Sequence, residues 1–216
     1  RIYYVINAAN PSVYAWDPAV PATAPAALPN PLGAAVPASF RLACSGAGVL
    51  YYMPDSGVLY TVDLTTGLAT AGPTVTGLGS GGDMAFDPAG ALYVLNSSRQ
   101  LFTAPLGGGA ATSVGTLSGI TNATLGLAFN LAGAAYVQVQ NPPELRAFTL
   151  PSIATTFVSA LSGGTAATGD LASTLLQSPT LTKQFAPATI FTGGTSTLTI
   201  TLANSNSAAA LRGAAV

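Results

Sequence analysis

Gly82-Asp83-Met84-Ala85-Phe86-Asp87-Pro88-Ala89-Gly90-Ala91-Leu92-Tyr93-Val94-Leu95 reads as a short apolar strand, a tight turn, and a second strand that begins on Leu92-Tyr93. Pro88 brings the fixed φ of a turn position, and Gly90 tolerates the positive φ that closes such a turn. The unit recurs. Aligned on its tyrosine, the chain offers Ile2-Tyr3-Tyr4-Val5, Leu50-Tyr51-Tyr52-Met53, Leu92-Tyr93-Val94-Leu95 and Ala135-Tyr136-Val137-Gln138, at intervals of 48, 42 and 43 residues. Three of these tyrosines follow, always by eight residues, an alanine in a short apolar run: Ala43, Ala85 and Ala128. A fourth run, Gly169-Asp170-Leu171-Ala172, has no tyrosine strand after it.

A second apolar-aromatic segment follows each tyrosine strand: Val13-Tyr14-Ala15-Trp16, Leu59-Tyr60-Thr61-Val62, Gln100-Leu101-Phe102-Thr103 and Leu145-Arg146-Ala147-Phe148. Thr/Val-rich stretches then end in glycine turns at Leu68–Gly77, Ala111–Gly119 and Ile153–Gly163. Period-two alternation, β-branched residues and regular turn signals predict strands throughout, with no helical period. Four short strands in each 40–50-residue repeat are expected of a β-propeller blade. The predicted fold is therefore all-β: a propeller of about four repeats over residues 1–174 (near 2–45, 46–87, 88–130 and 131–173). The chain enters at the second strand of a blade, so the orphan run Gly169–Ser173 is expected to complete the first blade and close the ring. The alternative is that earlier blades precede Arg1. The absence of Met or a signal-peptide pattern at Arg1 suits a processed product or a fragment. A proline- and alanine-rich insertion, Pro18–Ala38, is expected to be an extended surface loop.

Composition excludes several functions. Only 6% of the 216 residues are charged, against about 25% in an ordinary soluble domain. The net charge is −1, Lys183 is the single lysine, and no basic run exists to neutralise a nucleic-acid backbone. There is no histidine, so the commonest general base and metal ligand are missing and a Ser-His-Asp triad is impossible. A Ser-Lys dyad would have to use Lys183, outside the propeller. Cys44 is alone and lies in an apolar strand, as an inert thiol would. No apolar run is long enough to span a membrane. The chain is expected to be no enzyme, to need no cofactor or metal, and to bind no nucleic acid.

Candidate ligand residues come from the position two before each inner alanine: Arg41, Asp83, Gly126 and Asp170. In a four-membered ring Asp83 and Asp170 would face each other with Arg41 between them. They could hold a cation or polar ligand, or form an Arg–carboxylate pair that closes the channel mouth. Two carboxylates fall short of the six or more oxygens that Ca²⁺ prefers. Asp63, Asp87 and Asn130 sit in turns, where a side-chain oxygen ordinarily caps backbone amides. The recurring tyrosines and Trp16 could stack on sugars or pack between sheets.

After Ser173 the pattern changes. Residues 175–216 contain Lys183-Gln184-Phe185-Ala186-Pro187, Gly193-Gly194-Thr195-Ser196-Thr197-Leu198-Thr199-Ile200, and Asn204-Ser205-Asn206. Leu198, Ile200 and Leu202 alternate on one face of a strand. This segment resembles the opening of Ig-like repeat domains of unknown function that occur in tandem on bacterial surface proteins. The preceding repeats are similar, more loosely, to the propeller-like domains that accompany them. The resemblance implies an extracellular or cell-surface protein of structural role, in a layer, stalk or fibre. Partners would be further copies or neighbouring domains of the same surface protein. Only the first strands of a sandwich are present, so the edge Thr197, Leu198, Thr199, Ile200, Thr201 and Leu202 is the expected subunit contact. The other functional expectation is a propeller that binds a glycan or peptide.

Overall fold

The computed structural model describes residues 2–5, 11–17, 20–32, 40–161, 171–173 and 180–203. All of their regular structure is β, in a four-bladed propeller-like arrangement of antiparallel sheets and a separate two-stranded ladder. Strands are numbered in chain order. The first sheet holds β1 (Ile2–Val5), β2 (Val13–Trp16) and β3 (Ala26–Ala27). The second runs inward to outward through β4 (Phe40–Cys44), β5 (Leu50–Pro54), β6 (Val58–Val62) and β7 (Ala69–Thr76). The third repeats this with β8 (Asp83–Phe86), β9 (Leu92–Leu95), β10 (Gln100–Ala104) and β12 (Thr112–Thr116). The fourth does so with β13 (Thr124–Phe129), β14 (Ala134–Val139), β15 (Glu144–Thr149) and β16 (Thr156–Ala160). A short strand between β10 and β12, β11 (Gly109–Ala110), leaves its own sheet and pairs parallel with β7.

Local chemistry explains the repetition. In each inner hairpin the turn acceptor holds the chain: Asp87 Oδ1 accepts from Ala91 N at 2.8 Å, and Asn130 Oδ1 from Ala134 N at 2.9 Å. The full sheets share one irregularity, a register shift in the ladder to the outer strand. It falls between Val58 and Tyr60, between Leu101 and Phe102, and between Leu145 and Arg146. Such a bulge raises local twist, which a blade needs.

Three apolar cores join the four sheets in series. Val13 and Leu32 meet Leu50, Tyr52 and Val62 between the first and second sheets. Met53 and Leu59 meet Met84, Phe86 and Phe102 between the second and third. Leu95 and Leu101 meet Leu127, Phe129, Val137 and Phe148 between the third and fourth. Hydrogen bonds at the outer edges stitch the same seams: Asn30 N to Thr66 O, the β7–β11 pairing, and Thr155 N to Ser118 O.

The described part of the insertion is mostly exposed, as a surface segment is expected to be, but it also pairs with the first sheet. Ala26 and Ala27 pair with Ala15 and Tyr14, Leu28 N donates to Val13 O, and Leu32 is buried. Between Pro25 and Pro29 these residues keep their amides, which is enough for a two-residue ladder. The expected ring-closing run falls partly on residues outside those described. Leu171–Ser173 is described, and Ser173 Oγ accepts from Phe129 N at 2.8 Å, beside the fourth inner strand.

Seam residues should dominate stability. Phe86→Ala is expected to cost about 3–5 kcal/mol, and Phe157→Ala, 57% exposed on β16, within about 0.5 kcal/mol. Urea unfolding of the two variants distinguishes a seam-held fold from one held within its sheets.

Candidate functional site

Inner strands β4 and β8 bring two of the expected residues together. Arg41, at 2% exposure, lies on the face of β4 turned to the third sheet. Its Nε donates to Gly81 O at 3.0 Å, and Nη2 donates to Gly79 O and Gly81 O at 2.9 and 2.7 Å. Nη2 is also 3.3 Å from Asp55 Oδ1, which itself accepts from Gly81 N. Burial lowers the Arg41 pKa below its ordinary value, opposed by the Asp55 and Asp83 carboxylates. Nη1 has no hydrogen-bond partner among the described residues.

The loop that meets Arg41 is glycine-built for a steric reason. At Gly82 (φ +76) an added Cβ would stand 2.0 Å from Leu95 O, inside any permissible contact. At Gly79 (φ +73) it would strike the Asn96 side chain. The backbone can therefore turn its carbonyls toward the guanidinium only with glycine at these positions.

Asp83 extends the network one sheet further. It is 3% exposed; Oδ1 accepts from Met84 N and Oδ2 from Leu127 N, both at 2.7 Å. Arg41 thus ties the second sheet to the third, and Asp83 ties the third to the fourth. Of the sequence candidates, Arg41 and Asp83 come near enough for the Asp83 carboxylate to act on the Arg41 charge, while Gly126 lies on β13 without a side chain to join them. Asp170 lies outside the described residues. Asp55 was not among the sequence candidates: it stands in the β5–β6 turn, and no spacing marks it as Arg41's partner.

Other polar groups serve turns. Asp63 Oδ1 accepts from Thr65 N and Thr66 N at 2.7 and 3.0 Å, and these two amides hold its carboxyl below the usual range. Asn96 is buried, its amide donating to Leu78 O and Gln100 Oε1. Tyr51 and Tyr93 pack between sheets, against Phe86 and Phe129. Tyr4 and Tyr14 stack on the opposite face of the first sheet from Tyr3 and Val13, with ring centroids 5.5 Å apart. Burial raises the Cys44 thiol pKa. Among the described residues no three Cys, Asp or Glu side chains gather as a metal site would require. No helix among the described residues is long and apolar enough to cross a membrane.

Residues 179–216 match a family described as a domain of unknown function (DUF7933). No curated protein matches the chain. Among solved structures, the chain is similar to one in a nidogen/laminin complex, at 16% identity and a TM-score of 0.54 over 74% of this chain and 62% of that one. A second, a structural-genomics protein of unknown function from Bacteroides thetaiotaomicron VPI-5482, is 13% identical with a TM-score of 0.59, over 79% and 50%. The chain therefore spans about half to three-fifths of these structures' length. At such identity the likeness is one of fold, and it agrees with the propeller-like arrangement.

Asp83→Ala strips Leu127 N of its acceptor and is expected to cost about 2–4 kcal/mol, with Arg41→Met similar and the double variant less than additive. An unchanged denaturation midpoint for Asp83→Ala would free this carboxylate for another role. Asp63 gives a pH test. Its folded pKa is depressed, so its contribution is present above the unfolded pKa near 3.9 and fades as pH falls through the lower folded value. Acid titration of stability should be measurably flatter in Asp63→Asn.

Proposed function

We propose that this chain is a non-enzymatic, extracellular structural or assembly protein whose subunits meet through the β17–β18 segment. The observation that supports this is the state of β17 (Thr180–Ala186) and β18 (Thr197–Ala203), in which every residue is exposed. Their register sets Leu181 opposite Leu202, Lys183 opposite Ile200, and Phe185 opposite Leu198. These residues share one face, which is apolar apart from Lys183. The opposite face carries Thr182, Gln184, Thr197, Thr199 and Thr201.

A two-stranded ladder with one uncovered apolar face is marginal alone. Among the described residues its outer edges pair with no further strand, which suits strand addition, and the face offers alternating apolar contacts once a strand is added. Thr197–Leu202 is the contact strand in this reading. The scarcity of charge and the absence of histidine fit a role in which surfaces associate and no proton is transferred. A propeller that binds a glycan or peptide is the second reading. The stacked Tyr4–Tyr14 pair favours it, as does likeness to a chain from a protein–protein complex.

The purified chain is expected to form extended assemblies at concentrations of about 100 μM, the range of weak specific contacts. Leu198→Lys with Ile200→Lys should leave monomers with an unaltered propeller melting transition. Monomers of the unsubstituted chain by sedimentation, at that same concentration of about 100 μM, would defeat the assembly reading.

A further inference from the structure

Two seams are closed by the same pair of rings. Tyr51 of the second sheet meets Phe86 of the third with centroids 5.3 Å apart, and Tyr93 of the third meets Phe129 of the fourth at 5.1 Å. Phe86 and Phe129 each follow an inner alanine directly, Ala85 and Ala128. The next tyrosine in the series is Tyr136, and the residue after the next alanine, Ala172, is Ser173. The pattern supplies no phenylalanine there. Beside Tyr136 the structure has a cleft of about 450 Å³, walled by Ala128, Leu131, Tyr136 and Leu145 of the fourth sheet region and by Leu171 and Ala172.

We propose that this cleft binds a small neutral aromatic molecule, whose ring lies against Tyr136 where a phenylalanine lies at the two preceding seams. The cleft is open on one side, and its volume admits a small ring laid against Tyr136. The described lining carries no charged group, so an ionic ligand would lose its hydration without compensation. Asn130 is the polar residue of the lining, and its Oδ1 already accepts from Ala132 N and Ala134 N. A ring against Tyr136 gains both apolar burial and the tilted contact that aromatic pairs favour. A free molecule fits better than a side chain carried on an added strand. Such a strand would have to displace Leu171–Ser173, where Ser173 Oγ already takes the Phe129 amide. The site is independent of the β17–β18 contact, and loss of assembly leaves it intact.

Indole is the probe, titrated into the full chain by calorimetry, with cyclohexylmethanol as the non-aromatic control. Saturable indole binding is expected with a Kd of about 0.1–1 mM, and a Kd for the control at least about tenfold weaker. Ser173→Phe should fill the cleft and abolish that binding. Tyr136→Leu, which keeps the apolar volume but removes the ring, should weaken indole about tenfold. The proposal is overturned by absent saturable binding to the unsubstituted chain, or by equal affinity for cyclohexylmethanol. Unchanged affinity in folded Ser173→Phe or in Tyr136→Leu overturns it as well, as does capture of a phenylalanine-bearing peptide without indole binding.

Discussion

A sheet of four short strands has apolar side chains on both faces and cannot cover either by itself, so everything in this molecule depends on the seams between sheets. Met84, Phe86 and Val94 point to the second sheet, while Ala85 and Leu95 point to the fourth. The alternation of the strand makes one sheet a contributor to two cores. Each fully buried side chain of this kind contributes about 1.5–3 kcal/mol by leaving water. Side chains of this size outweigh the edge hydrogen bonds, whose net contribution is only about 0.5–1.5 kcal/mol each. The edge bonds have another value: they set the relative height of sheets that apolar contact alone would let slide.

The buried charges belong to the same task. Arg41 and Asp83 each reach from an inner strand into the backbone of the next sheet. In a chain with so few charged residues, placing two of them out of water is costly unless they are fully engaged. Their partners are largely main-chain groups: the carbonyls of Gly79 and Gly81 for Arg41, and the amides of Met84 and Leu127 for Asp83. The geometry is that of a clamp between neighbouring sheets.

Against the propeller, the β17–β18 ladder is a contrast in energetics. Its two strands alternate as cleanly as any in the chain, yet all fourteen of their residues are exposed. Alternation predicts a strand and a face. It does not by itself bring an opposing layer, and among the described residues the same kinds of side chain that stabilise a seam, Leu, Ile and Phe, stay exposed here.

The repeat in tyrosine and inner alanine, with turn residues at fixed offsets, determined from sequence alone that the chain is all-β and arranged as repeated sheets. Those features are local: strand period, turn chemistry and spacing need no knowledge of neighbours. The turn roles of Asp63, Asp87 and Asn130 were legible for the same reason, since each binds amides within a few residues. Tertiary structure alone decided the rest. Asp55 became Arg41's partner, Ala26–Ala27 became a strand within a proline-rich insertion, and β11 crossed to pair with β7. Each joins residues whose encounter depends on how one sheet is set against another, and no local pattern encodes that placement. The Gly82–Leu95 unit shows both sides: its hairpin was readable from Pro88 and Gly90. The need for glycine at Gly82 follows only from Leu95 O, a backbone atom brought within 2.0 Å of where a Cβ would stand.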